Sequence, residues 1–244
     1  MTETRQRWRI LRQHLETDRL LGIEAVPLGQ GPAREDARVK TESKSKGIVR
    51  AKHIQLEQLD EQEVKPCTQC DLCENRTQTV FGEGDPNADL MFVGEGPGQK
   101  EDEQGRPFVG RAGELLNKQI NAMGLEREQV YIANIVKCRP PQNRTPTPHE
   151  VDACSDYLRR QIMIIQPKAI VALGAPATKF LLDSSQGIGA LRGSWHKYEG
   201  LLPNGPAIDV MPTFHPAYLL RQYTTDNRKK VWSDLQQAMA RLED

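Results

Sequence analysis

Net charge is the first thing this chain lacks. Its 33 basic residues balance its 33 acidic ones, so bulk charge gives no argument for a nucleic-acid or membrane partner, and any affinity for a polyanion must come from local basic loops. No apolar run is long enough to span a bilayer, and Met1 to Arg9 are polar and basic without an apolar core. A cytosolic protein without a membrane segment is therefore expected. Aromatics are scarce, at 5%, with 37% hydrophobic and 27% charged residues. That composition supports a folded core and leaves room for a solvated, disordered part. The five cysteines, in a reducing compartment, favour metal ligation or reduced thiols over disulfides.

The 244 residues suffice for one large domain or a domain with a tail. In Thr4 to Gly22, Trp8, Ile10, Leu11, Leu15 and Leu20 recur at roughly helical spacing, which predicts a helix. The pattern is lost from Gly29 to Lys65, and the charged, small-residue stretch Arg34 to Lys46 reads as a disordered linker. The expected organisation is an N-terminal helix and linker over 1–64 and a folded domain over 65–244.

Within that domain, apolar runs alternate with helical patterns. Strands are predicted at Ala88–Gly94, Val130–Val136, Ala169–Leu173 and, more feebly because of Pro212, at Ile208–Phe214. Helices are predicted at Gly113–Gly124, Pro148–Ile165, Ala175–Leu182 and Asn227–Leu242, with Thr147 capping the second and Pro148 in its first turn. Such alternation predicts an α/β fold: a three-layer α/β/α sandwich around a central, mostly parallel four-stranded sheet. Its site should lie at the carboxyl ends of the strands, in loops that start at Gly94, Lys137 and His215.

Four cysteines are spaced as Cys67-x2-Cys70 and Cys138-x15-Cys154. A C-x2-C pair is a natural two-thiolate bite on one metal centre, and the distant pair can close the shell. Cys73 makes Cys70-x2-Cys73 an equally legal bite, and four thiolates suit zinc as well as iron–sulfur. The loop Gly94-Glu95-Gly96-Pro97-Gly98 opens like a dinucleotide fingerprint, but Gln99 replaces the third glycine and Pro97 removes a donor. A tight turn presenting the Glu95 carboxylate at the mouth of the sheet remains. In His215-Pro216-Ala217-Tyr218-Leu219-Leu220-Arg221, apolar side chains are followed by a cation, which fits either a helix start burying its leucines or a finger entering a DNA groove.

Several blocks together carry a resemblance. The Gly94–Gly98 loop, Glu101-Asp102, Gly105-Arg106-Pro107-Phe108-Val109-Gly110 and Ala112-Gly113 resemble the first active-site motif of the family 4 uracil-DNA glycosylases. Asn134 to Pro141 with Asn143-Arg144-Thr145-Pro146 resembles the next block, and His215 to Arg221 the second active-site motif. The resemblance runs from about Cys67 to the end of the chain. It implies a [4Fe–4S] cluster on Cys67, Cys70, Cys138 and Cys154, with Cys73 a bystander, and uracil-containing DNA as substrate of a monomer.

For a base flipped from the stack, the resemblance implies Phe108 stacked on uracil and the Asn134 amide reading its edge. It implies Gly94, Gly96 and Gly98 giving close approach of backbone to base or sugar. His215 would donate to the developing O2 anion, and Glu95 would either position water or stabilise the sugar cation. Lys137, Arg139 and Arg144 would hold phosphates, while Leu219, Leu220 and Arg221 fill the vacated stack. A related branch traps DNA covalently through a histidine in an inserted basic loop. Pro141 to Pro146 has neither the insertion nor the histidine, so turnover is expected. Two other readings compete: a non-catalytic iron–sulfur DNA-binding or polymerase-associated module, and a glycosylase for another deaminated base.

Overall fold

The computed structural model describes residues 50–199 and 207–243; the helix expected at Thr4–Gly22 and the linker Arg34–Lys46 lie outside the described residues. Each predicted strand forms, as β2 (Leu90–Gly94), β3 (Tyr131–Asn134), β4 (Ala169–Leu173) and β6 (Ile208–Thr213). The four run parallel in the order β3-β2-β4-β6. Pro212 does not break β6: it sits in register with Ala172.

The sheet has six strands rather than four. Two short strands, β1 (Glu83–Gly84) and β5 (His196–Tyr198), pair antiparallel at its two edges. Two or three mostly polar residues have no period to read, which is why pattern alone passed them over. Gly84 is required where it stands: its φ is +134°, and a Cβ there would fall 1.9 Å from the Val130 carbonyl oxygen.

Alternate residues of each strand feed two cores. Met91, Val93, Ile170 and Ala172 face one, with Leu158 and Ile162 of α4 (Pro148–Ile165) and Ala177 and Leu181 of α5 (Gly174–Leu182). Leu90, Phe92, Val171 and Leu173 face the other. There they meet Leu116 and Ile120 of α3 (Arg111–Ala122), Leu219 of α7 (Pro216–Arg221), and Val231 and Leu235 of α8 (Thr225–Glu243). Two further short helices are α2 (Gln99–Gln104) and α6 (Ile188–Leu191). The expected three-layer sandwich follows from this period-two burial.

Helix α4 starts where expected. Thr147 accepts from the Glu150 amide, the Glu150 carboxylate accepts from the Thr147 amide, and Pro148 occupies the first turn, a reciprocal capping box. Packed structure also reaches back before Val64. Helix α1 (50–59) runs into a wide turn at Asp60–Val64, and Leu56, Leu59 and Val64 are buried in the first core. Lys52 Nζ donates to the carbonyl of Ile165 at 2.8 Å, where a cation suits the end of α4. The loss of pattern read over Gly29–Lys65 therefore does not hold for its last third. The signal was Leu56, Leu59 and Val64 on one face, diluted by glutamines and acids.

Candidate functional site

A cavity of about 680 Å³ opens at the carboxyl ends of all four parallel strands. Glu95 follows β2, Asn134 ends β3, Gly174 follows β4 and His215 follows β6, and each lines it. The connection from β2 goes outward to β3, and the next strand, β4, lies on the other side of β2. Such a reversal leaves a crevice that open α/β sheets use for ligands.

Phe108 covers one wall. It is buried with φ +50°, an uncommon conformation for a bulky side chain, and its neighbours hold it there. The Glu101 carboxylate accepts from the amides of Val109 and Gly110 at 2.9 and 2.8 Å. Arg127 donates to the carbonyls of Pro107 and Phe108 and to Asn117 Oδ1, and its Nε pairs with Glu83. A Cβ on Gly113 would lie 1.9 Å from the Phe108 carbonyl oxygen, so α3 abuts this loop directly. Arg127 was not among the expected site residues; it falls between the motif that ends at Gly113 and the one that begins at Asn134.

The glycines serve the protein's own side chains. A Cβ on Gly94 would stand 2.4 Å from Asn134 Oδ1 and 2.7 Å from Phe108 Cζ, and one on Gly96 would stand 2.8 Å from Val136 Cγ2. One on Gly98 would stand 2.8 Å from Glu101 Oε2. Gly96 and Gly98 line the cavity, whereas Gly94 lies beneath it and lets Asn134 and Phe108 close over the strand end.

Two buried polar atoms here, Glu95 Oε1 and Asn134 Oδ1, have no hydrogen-bond partner among the described residues. Unpaired buried acceptors are costly and mark places where a ligand completes the bonding. Burial raises the Glu95 carboxyl above its ordinary range, with Thr145 pulling the other way. His215 is displaced downward, to about 4, by burial first and by the Arg221 charge second, with Glu101 opposing. Its Nδ1 accepts from the Ala217 amide at 3.1 Å, so the neutral ring carries its proton on Nε2.

A family model described as the uracil DNA glycosylase superfamily matches residues 81–236. A type-4 uracil-DNA glycosylase of Thermotoga maritima is 48% identical over 185 residues, 75% of this chain and 93% of that protein. One from Sulfurisphaera tokodaii is 48% identical over 186 residues, covering 73% and 81% of the two chains. One from Archaeoglobus fulgidus is 42% identical over 185 residues, covering 73% and 90%. The chain belongs to the type-4 uracil-DNA glycosylases.

Not every residue expected to touch DNA in this type-4 glycosylase is free to do so. Lys137 is 1% exposed. Its Nζ donates to the Asn134 carbonyl and to Gln161 Oε1 at 2.9 and 2.6 Å, so it braces the strand end and holds no phosphate. Leu219 is also 1% exposed and is a core residue on the inner face of α7. Arg144 lines the cavity, but its guanidinium is engaged by both oxygens of Glu150. Arg139 is half-buried with Nε on Asn143 at 2.8 Å. Leu220 and Arg221 are exposed on the outer face of α7, and Arg221 lines the cavity mouth.

For the cluster that membership in this family implies, the cysteines offer a suitable donor set. Cys138 and Cys154 are buried and Cys67, Cys70 and Cys73 half-buried, all as free thiols. Arg76 Nη1 donates to Cys138 Sγ at 3.1 Å and the Lys137 amide to Cys154 Sγ at 3.2 Å, the kind of N–H to sulfur contact that tunes ligated thiolates. Among the described residues no three His, Cys, Asp or Glu side chains are grouped to hold a single metal ion. Four thiolates suit an iron–sulfur cluster and zinc alike.

Proposed function

We propose that this chain excises uracil from DNA by hydrolysing the N-glycosidic bond and leaves an abasic site. The observation that carries the reading is the convergence of Glu95, Phe108, Asn134 and His215 on one cavity, with acceptor atoms of Glu95 and Asn134 unpaired. A base inside a duplex is out of reach, so the nucleotide must flip into this cavity. Phe108, locked by Glu101 and Arg127, offers a fixed face for stacking. The Asn134 amide can accept from uracil N3–H at Oδ1 and donate to O4, which completes its bonding.

As the bond breaks, charge develops on uracil O2. His215, held neutral with Nε2–H free, donates to that oxygen without first taking up a proton. Glu95 is half-buried at the cavity, where its carboxylate either orients the attacking water or offsets the cationic sugar. Exposed Leu220 and Arg221 fill the vacated stack. Cys67, Cys70, Cys138 and Cys154 would hold a [4Fe–4S] cluster, which supplies a cross-link between the loop after β3, α4 and the chain ahead of β1. On this reading the enzyme acts as a monomer in the cytosol, which gel filtration and cell fractionation test.

Incubation with a uracil-containing oligonucleotide, followed by alkali, decides the activity. Strand scission by the wild type and its loss in His215→Ala is the expected result. Tight binding without scission would instead mark a non-catalytic DNA-binding module, and a denaturation-resistant protein–DNA adduct would mark covalent capture.

A further inference from the structure

Past Arg221 the chain makes a three-residue turn, Gln222 to Thr224, before α8. Its central residue, Tyr223, is 58% exposed, more than any other large hydrophobic side chain among the described residues. The turn is braced from several directions. The Gln222 carbonyl accepts from the Thr224 amide at 2.9 Å and from Asn227 Nδ2 at 3.0 Å, and Thr224 Oγ1 accepts from the Asn227 amide at 3.1 Å. The Arg228 guanidinium lies 5.0 Å from the centre of the Tyr223 ring, and its Nη2 donates to Thr225 Oγ1 at 3.3 Å. An aromatic ring left mostly in water, with a cation on one face, gains little burial from this placement.

We propose that Tyr223, backed by Arg228, is a stacking platform for the unpaired base next to the flipped nucleotide, so that the surface grips single-stranded DNA. The proposal rests on the uracil-excision reading for the position of the strand. Only Gln222 stands between Tyr223 and Arg221, which lines the cavity mouth, and two steps of chain reach at most about 7 Å. That reach spans about two steps of a stacked strand, whose phosphates follow one another every ~3.4 Å, so the neighbouring base falls within it. Proteins that hold single strands pair such an aromatic face with cations that follow the backbone.

The cations are present. Arg221, Arg228 and Lys229 are exposed and none has a carboxylate partner among the described residues, whereas Lys230 is tied to Asp226 at 2.6 Å. Asp226 is the acidic group of this face and Lys230 neutralises it. Leu220, 37% exposed and three residues before Tyr223, adds exposed apolar surface to the same stretch of chain.

The test uses the full chain and fluorescence anisotropy with labelled oligonucleotides of one sequence, single-stranded and duplex, without uracil. Tyr223→Ala is expected to weaken single-strand binding about tenfold or more, and Tyr223→Trp to restore it, because stacking tolerates any aromatic face. Duplex binding should change less than twofold, its bases being already stacked. Arg228→Gln should lower both the affinity and its salt dependence. Single-strand binding by Tyr223→Ala within twofold of the wild type overturns the platform, and so does an equal loss on single strand and duplex. Alkali-scission assays on the same proteins keep the two ideas apart: a wild type that binds in this pattern but leaves uracil in place sinks the excision reading and spares the platform.

Discussion

The Phe108 and His215 rings lie 5.6 Å apart, centroid to centroid, and are inclined by 32°. They belong to loops 107 residues apart in the chain, one after β2 and one after β6. Gly174, with φ +86°, lets the His215 Cβ approach to within 2.9 Å of where its own Cβ would be. The two rings therefore sit side by side at the cavity, where the stacking and donating roles proposed for them would be exercised.

The protonation state of His215 predicts a stability profile. Its folded value, about 4, is below the 6.5 of an unperturbed imidazole. Between these values the unfolded chain binds a proton that the folded chain refuses. Stability from this residue is therefore complete above pH 6.5 and lost as pH falls toward 4, by about 3 kcal/mol at most. Urea titrations of wild type and His215→Gln over that range should diverge, the variant showing the smaller loss. Parallel curves would mean that the ring is not held neutral by the fold.

Glu95 predicts a trade between activity and stability. Burial raises its carboxyl above 4.5, so between 4.5 and that higher value the folded chain keeps a proton that the unfolded chain has lost. Stability then falls as pH rises through the window, and the cost persists at neutral pH. Glu95→Gln should raise Tm at pH 7 while lowering excision about a hundred- to ten-thousand-fold. A variant that is both slower and less stable would contradict this account.

Gly113 tests the wall behind Phe108. Gly113→Ala puts a methyl 1.9 Å from the Phe108 carbonyl oxygen and 2.0 Å from its carbonyl carbon, and both atoms are backbone. The Phe108 loop must move, and misplacement on that scale costs about a hundredfold in rate. Single-turnover excision should fall by that order, while Gly189→Ala, whose Cβ would meet nothing within 4 Å, should leave the rate near wild type.

The ligand set of the cluster separates two adjacent thiols. Both Cys70 and Cys73 are half-buried. If Cys67, Cys70, Cys138 and Cys154 hold iron, Cys73→Ser should purify brown with full iron content, and Cys70→Ser should lose iron together with thermal stability. The reverse pattern would move the ligand from Cys70 to Cys73.

The sequence alone determined a good deal. Long apolar runs between glycines located four parallel strands, because a strand buried on both faces leaves no other composition open to it. Thr147 and Pro148 announced the start of α4, because capping is local chemistry. Glu95 and His215 were legible because each follows a readable strand, whereas Asn134 was picked out by the family resemblance. Tertiary structure decided what local pattern does not encode. Lys137 sits in a basic, proline-rich loop and reads as exposed, yet the strand end turns it inward onto Gln161, 24 residues away. Leu219 and Leu220 look alike in sequence, and only the packing of α7 buries one and exposes the other. Arg127 reaches Phe108 across 19 residues, a contact with no spacing rule behind it. Periodicity records which face of an element is wet; which side chains meet across elements is set by how the layers close.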